Sequence, residues 1–224
     1  MAKRILLSAV LVVFIFQGIV FAGGGAERTP SEEILVDPVW IQARGDSVTI
    51  LDVGRSQADF LSGHIPGAAL ADRELVWDTV DGLAGMLPDP ELVAQDLELL
   101  GVSSDKPVVV YDAGNGLWAS RLFWALEYIG HSKVHLLDGG FSAWQSSGND
   151  VSVTPRVPEA GKIDVKVQEE LLADSGYILS KLESSNFVVI DTRSSGEFDG
   201  SDLRAERGGH IPGAVNIEWS QNLN

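Results

Sequence analysis

The chain contains no cysteine in its 224 residues. That excludes disulfides, thiolate metal sites and any catalysis through a thiol of these residues. Basic residues are scarce: 16 Lys and Arg stand against 32 Asp and Glu, for a formal charge of −16. Such a balance offers no basic stripe to follow a phosphate backbone, so nucleic acid is not an expected partner. The acidity reads first as a solubility property. Long apolar runs are also few. The one that stands out, Ile5 to Val20, follows Lys3 and Arg4 and ends in Val20-Phe21-Ala22. Basic residues, a short apolar stretch and small residues at −3 and −1 are the pattern of a cleaved secretory signal over 1–22. A retained anchor helix is the alternative, but the run is near the lower limit for a span. The expected location is therefore exported, periplasmic or secreted. With no lipobox cysteine the chain is not expected to be a lipoprotein.

What is present is enough for a sizeable core. Hydrophobic residues make up 45% of the chain, with six Trp and eight Phe, which is not the composition of a disordered protein. The length allows one large domain or two small ones.

The most informative stretch is VVVYDAGNGLWASR, 108–121. Val108 to Tyr111 reads as a buried strand. Asp112 and the glycine-rich Ala113-Gly114-Asn115-Gly116 read as a tight turn, and Leu117 to Ile129 as a helix with Leu117, Phe123, Trp124, Leu126 and Ile129 as its apolar residues. A strand, a turn and a helix start bring successive N–H groups into one small space that favours an anion. Many enzymes place a nucleophile first in such a turn; here that position holds Asp112.

Around it, short β-branched runs alternate with helical segments. Ile34 to Ile41 reads as the start of a strand or of a helix. Strands are expected at 48–53, 68–70 and 134–137. A helix is expected over 90–100, capped by Asp89 and stopped by Gly101, and a short one starting at 141–144. That alternation is the pattern of a parallel sheet covered on both faces, running over 31–148. Pro155, Pro158 and Gly161 mark a linker, 149–162. Beyond it, Val167 to Leu182 reads as a helix interrupted near Gly176, and Phe187 to Asp191 as a strand. The second unit is then 163–224.

The two units are copies. VTILDVGRSQADF (48–60) matches FVVIDTRSSGEF (187–198), the first having one more residue before its arginine, and GHIPGA stands at both 63–68 and 209–214. Within these residues the second copy has no counterpart of strand 108–111, helix 117–129, strand 134–137 or the Asp138-Gly139-Gly140 turn.

The combination of LDV with GHIPGA, VVVYDAGNGLWASR, LLDGGFSAW, and IDTR with RGGHIPGAVNIEW resembles the tandem rhodaneses, the thiosulfate and 3-mercaptopyruvate sulfurtransferases. The resemblance implies a duplicated, doubly wound α/β/α domain with a central parallel sheet. It implies a reaction that moves sulfane sulfur onto an enzyme thiolate and then to cyanide or a thiol, with no cofactor and no metal. The implied partners are a small sulfur-containing anion and a thiol acceptor protein. It also implies a non-catalytic first copy with another residue at the cysteine position, which Asp112 fits. The active cysteine would lie in the second copy, in a loop beyond Asn224. On this reading the chain is truncated within its second domain and inactive as written. The alternatives are a non-catalytic anion- or partner-binding module, and a reading frame that continues.

A carboxylate cannot form a persulfide, so Asp112 is expected to accept N–H groups of its own turn. His64 and His210 recur in a non-catalytic copy and are expected to hold the GHIPGA turns. Asp52 and Asp191 end strands and are expected to accept loop N–H groups. Arg193 is divided between a salt bridge and, through the resemblance, a place near the anionic substrate. Glu197 lies where some members of the resembled family carry a second arginine. Trp118, Trp124, Trp144 and Trp219 are expected in core or interdomain packing.

Overall fold

A computed structural model describes residues 34–80 and 82–223. The expected signal segment, 1–22, and the location it implies lie outside the described residues. Among the described residues no helix is long and apolar enough to cross a membrane.

In chain order the elements are β1 (Leu35–Val36), α1 (Pro38–Arg44), β2 (Thr49–Val53), α2 (Gln57–Ser62), β3 (Ala69–Ala71), β4 (Asp78–Val80), β5 (Leu83–Met86), α3 (Pro90–Leu99), β6 (Val108–Tyr111), α4 (Leu117–Tyr128), β7 (Val134–Leu137), α5 (Gly140–Ser146), α6 (Ser175–Lys181), β8 (Ile190–Asp191), α7 (Ser195–Asp199) and β9 (Val215–Asn216). Five strands form a parallel sheet in the order β1-β7-β6-β2-β3. Strand alternation sends side chains to both faces. On one face Leu51, Val53, Val108 and Val110 pack with Val93 and Leu97 of α3 and with Ala119, Leu122 and Leu126 of α4. On the other, Ile50, Val109 and Tyr111 pack with Ile41 of α1, Phe60 of α2 and Phe141 and Trp144 of α5. Both faces are covered, which is why β6 is a continuous apolar run.

Asp89 starts α3 by accepting the Glu91 N–H, and the helix gives way to Gly101 at φ +83°. β4 and β5 form a separate antiparallel pair, tied down by Arg121, which donates to the Val76 and Gly85 carbonyls. The α4 face is not wholly the expected one. Leu117 is exposed, while Ala119, Leu122 and Ala125 are buried. Small residues bring α4 close to the sheet, and size alone does not mark them as core.

The stretch expected as a linker lies against the first copy. Ser152 and His64 exchange backbone hydrogen bonds of 2.9 Å. Farther on, Gly161 N–H donates to Glu98 O at 2.7 Å, Ile163 N–H to the Glu98 carboxylate at 2.7 Å and Lys166 N–H to Ile129 O at 2.9 Å. Ile163 is buried in the first copy's core. A Cβ on Gly161 would stand 1.9 Å from Val102 O, so the strap needs glycine there.

The helix expected over 167–182 is corrected. Residues 162–168 carry no helix and hydrogen-bond to the first copy, and α6 begins only at Ser175, where Asp174 accepts the Tyr177 N–H at 2.6 Å. Gly176 lies inside that helix rather than breaking it. The strand expected over 187–191 is two residues long, because β8 pairs only with β9. The register of that pair, Ile190↔Val215 and Asp191↔Asn216, repeats Leu51↔Ala69 and Asp52↔Leu70 of the first copy.

Candidate functional site: a filled anion cradle and a duplicated clamp

The turn after β6 is a ring of N–H groups closed around the carboxylate of Asp112. Its Oδ1 accepts Gly114 N–H at 2.9 Å and Gly116 N–H at 3.1 Å, and its Oδ2 faces Ala119 N–H at 3.3 Å in the first turn of α4. Asp112 is 3% exposed. The donors that favour an anion at this helix start are engaged by a side chain of the same turn.

The Asp138-Gly139-Gly140 turn supports the cradle from behind. Phe141 N–H donates to Asp112 O at 2.8 Å, and Ser142 Oγ–H donates to Ala113 O at 2.7 Å. Gly139 and Gly140 have φ of +67° and +56°, and a Cβ on Gly140 would stand 2.6 Å from Asp112 O. The paired glycines are the one mark of this support in the sequence, where they read only as a turn.

Beside the cradle the duplicated motif builds the same clamp twice. In the first copy Arg55 donates to Asp52 Oδ2 at 2.7 Å, to Asp59 O at 3.0 Å and to Gly63 O at 2.9 Å. In the second, Arg193 donates to both oxygens of Asp191, at 2.6 Å to Oδ2, and to Gly209 O at 2.8 Å. His64 Nδ1 pairs with Phe60 O at 2.8 Å and its ring stacks on Phe60 at 3.9 Å. His210 Nδ1 pairs with Phe198 O at 2.8 Å and stacks on Phe198 at 3.7 Å. Each arginine thus ties its strand end to the start of its GHIPGA turn, and each histidine ties that turn to the preceding helix.

The surroundings differ. Asp52 and His64 are fully buried. Arg55 also lies over the Phe141 ring at 4.2 Å. The Tyr111 hydroxyl accepts Ile65 N–H at 3.2 Å and is near enough to Asp52 to favour its ionised form. Burial nevertheless dominates and pushes the Asp52 carboxyl up to about 6, with Arg55 opposing it. Burial, then the charge of Asp52, raises the Tyr111 phenol. In the second copy the Arg193 hydrogen bonds hold the Asp191 carboxyl below the usual carboxylate range.

The expectation that Asp52 accepts loop N–H groups is corrected: its partner is a guanidinium, since Arg55 folds back under the turn. Asp191 does accept Arg193 N–H, at 3.0 Å, beside the side chain. Glu197 closes a capping box with Ser194 at the start of α7. Trp144 is buried and donates to Asp150 O at 2.8 Å; Trp124 reaches Leu171 O at 3.1 Å. Trp118 packs on Gly54 and edge-on to Trp77. Trp219 is 38% exposed rather than packed in a core. Tyr111 and Arg55 are the clamp residues that sequence reasoning missed. Tyr111 reads as the last residue of a buried strand, and Arg55 as the start of a loop or short helix. Among the described residues no cluster of His, Asp and Glu is arranged to hold a metal ion.

The family model described as "Rhodanese-like domain" matches residues 37–147 and 175–224. The thiosulfate sulfurtransferase of Azotobacter vinelandii is 33% identical over 188 residues, covering 84% of this chain and 69% of that protein. The 3-mercaptopyruvate sulfurtransferase of Escherichia coli (strain K12) is 34% identical over 169 residues, covering 73% of this chain and 59% of that protein. Among solved structures, SseA from Escherichia coli, reported with the rhodanese fold and catalytic mechanism of 3-mercaptopyruvate sulfotransferases, superposes with a TM-score of 0.76. The identity is 31%, and the match covers 85% of this chain and 77% of that one.

Proposed function

From the premise that this chain belongs to the rhodanese-like sulfurtransferase family, we propose that its first copy is the non-catalytic scaffold domain of a sulfane-sulfur sulfurtransferase. The observation that carries this is the cradle. The position where the fold presents N–H donors to a reacting sulfur holds the Asp112 carboxylate instead, buried and hydrogen-bonded to its own turn. A carboxylate lacks the polarizable thiolate that accepts sulfane sulfur, and no residue among the 224 supplies one. A small sulfur-containing anion meets both occupied donors and a like charge there. Arg193, with Asp191 and Gly209 O as its partners, serves as a buttress of its turn rather than as a substrate ligand. In such a protein the thiol that carries sulfur, and the thiol or cyanide that receives it, are met outside these residues.

The test is a thiosulfate:cyanide assay of the purified 224-residue chain, together with a calorimetric titration of thiosulfate. The expected outcomes are a rate equal to the no-enzyme control and no binding at millimolar ligand. Turnover clearly above the control overturns the proposal. So does saturable thiosulfate binding that disappears in Asp112→Glu.

A further inference from the structure

Asp52, buried on β2 opposite Tyr111, has no part in that proposal. Its charged and titratable neighbours come from three segments. Arg55 is on the loop after β2, His64 on the turn after α2, and Tyr111 at the end of β6. α2 adds the Phe60 ring and the Asp59 main-chain carbonyl, and α5 adds the Phe141 ring. Arg156 and Asp46, 3.8 Å apart, are exposed to solvent. Asp52 Oδ1 and His64 Nε2 are buried without a hydrogen-bond partner of good geometry. The ionised carboxylate therefore keeps one oxygen poorly served in a place that water does not reach, and it has one full counter-charge, Arg55.

We infer that Asp52, Arg55, His64 and Tyr111 form a proton-operated latch on the 63–68 turn, one that tightens as the pH falls from neutral to mildly acidic. Closing the turn removes Asp52 from water, and a neutral carboxyl suffers less from that removal than a charged one. A closed turn therefore takes up a proton that an open turn, with Asp52 hydrated, releases. In the closed form the direction agrees: burial pushes the carboxyl up to about 6 from an ordinary value of 3.8. The second copy keeps the carboxylate, the arginine and the histidine, but there Asp191 is held below its ordinary value. Its turn is not a switch of this kind.

The experiment uses the full chain in two NMR measurements between pH 4.5 and 7.5. The first follows the Asp52 side-chain carboxyl carbon. The second follows the protection factor of the Ile65 amide, whose acceptor is Tyr111. The expected results are an Asp52 midpoint near 6 and an Ile65 protection that rises as pH falls, by about 25-fold over that pH range for a two-unit shift. Asp52→Asn should make the Ile65 profile flat. If Asp52→Asn does not fold, Tyr111→Phe serves instead. Losing the hydroxyl should move the Asp52 midpoint upward, because that hydroxyl favours the ionised form. An Asp52 midpoint in the ordinary carboxylate range overturns the latch. A midpoint near 6 with pH-independent Ile65 protection overturns it as well.

Discussion

GHIPGA folds into the same turn twice. The histidine–phenylalanine stack and the strand register recur in both copies, and each arginine holds its aspartate and the first glycine of its turn. Yet Ile65 is 0% exposed and Ile211 is 37% exposed, while Leu51 is 0% and its counterpart Ile190 is 56% exposed. The first copy's turn is roofed by Tyr111 of β6 and by Phe141 and Trp144 of α5. Nothing among the described residues takes those places in the second. Local hydrogen bonds thus specify the shape of the motif, and its tertiary neighbours specify its energetics. The same carboxylate–arginine pair is pushed toward neutrality where it is enclosed and held ionised where it meets water.

That contrast is open to attack by paired substitutions. The largest difference is expected at the isoleucines. Ile65→Ala leaves a cavity in a closed core and should cost about 3 kcal/mol, whereas Ile211→Ala should cost under about 1 kcal/mol. Urea denaturation of both variants checks this, and equal losses would mean that the second turn is as enclosed as the first. Next comes the support of the cradle. Gly140→Ala drives a methyl group against Asp112 O in a left-handed conformation and should destabilise by about 2–3 kcal/mol. Gly213→Ala, at φ +80° with open space around it, carries the backbone strain without the clash and should cost about 1 kcal/mol. Asp112→Ala orphans the N–H groups of Gly114 and Gly116 and should cost about 1–3 kcal/mol, with Asp112→Asn nearer the lower end because an amide oxygen still accepts.

The smallest effect is in pH dependence. The raised Asp52 pKa means that the folded first copy holds a proton more tightly than the unfolded chain, so its share of stability grows as pH falls from about 6 toward 4. The depressed Asp191 pKa works in the opposite sense. Its share is present above the usual carboxylate range and is lost as pH falls through it. Residue-resolved exchange near each clamp between pH 3 and 7 should show slopes of opposite sign. Slopes of the same sign would mean that the two clamps share one environment.

Much of the first copy was legible from periodicity and punctuation. The runs ending at Val53 and Tyr111, the Asp89 cap and the Gly114–Gly116 turn each carry a local signal, and the strand–helix alternation then leaves few topologies. The repeat was legible because GHIPGA is identical in both copies. The strap over 161–168 was not, since its partners (Glu98, Ser104 and Ile129) are distant in sequence and Val165 and Val167 suit helix-like spacing as well as extension. The guanidinium partner of Asp52 was also hidden. An arginine two residues past a strand reads as solvated until the chain is seen to fold it under the turn. Burial itself was the least legible property, because Ile65 and Ile211 have identical local sequences.

The most direct test compares one hydrogen bond in its two settings. Ala68 N–H donates to Ile65 O at 3.0 Å, and Ala214 N–H donates to Ile211 O at 2.9 Å. Amide exchange of the full chain at neutral pH should show Ala68 opening only with most of the first copy's stability, and Ala214 exchanging with little protection. Equal protection at the two alanines would contradict the account.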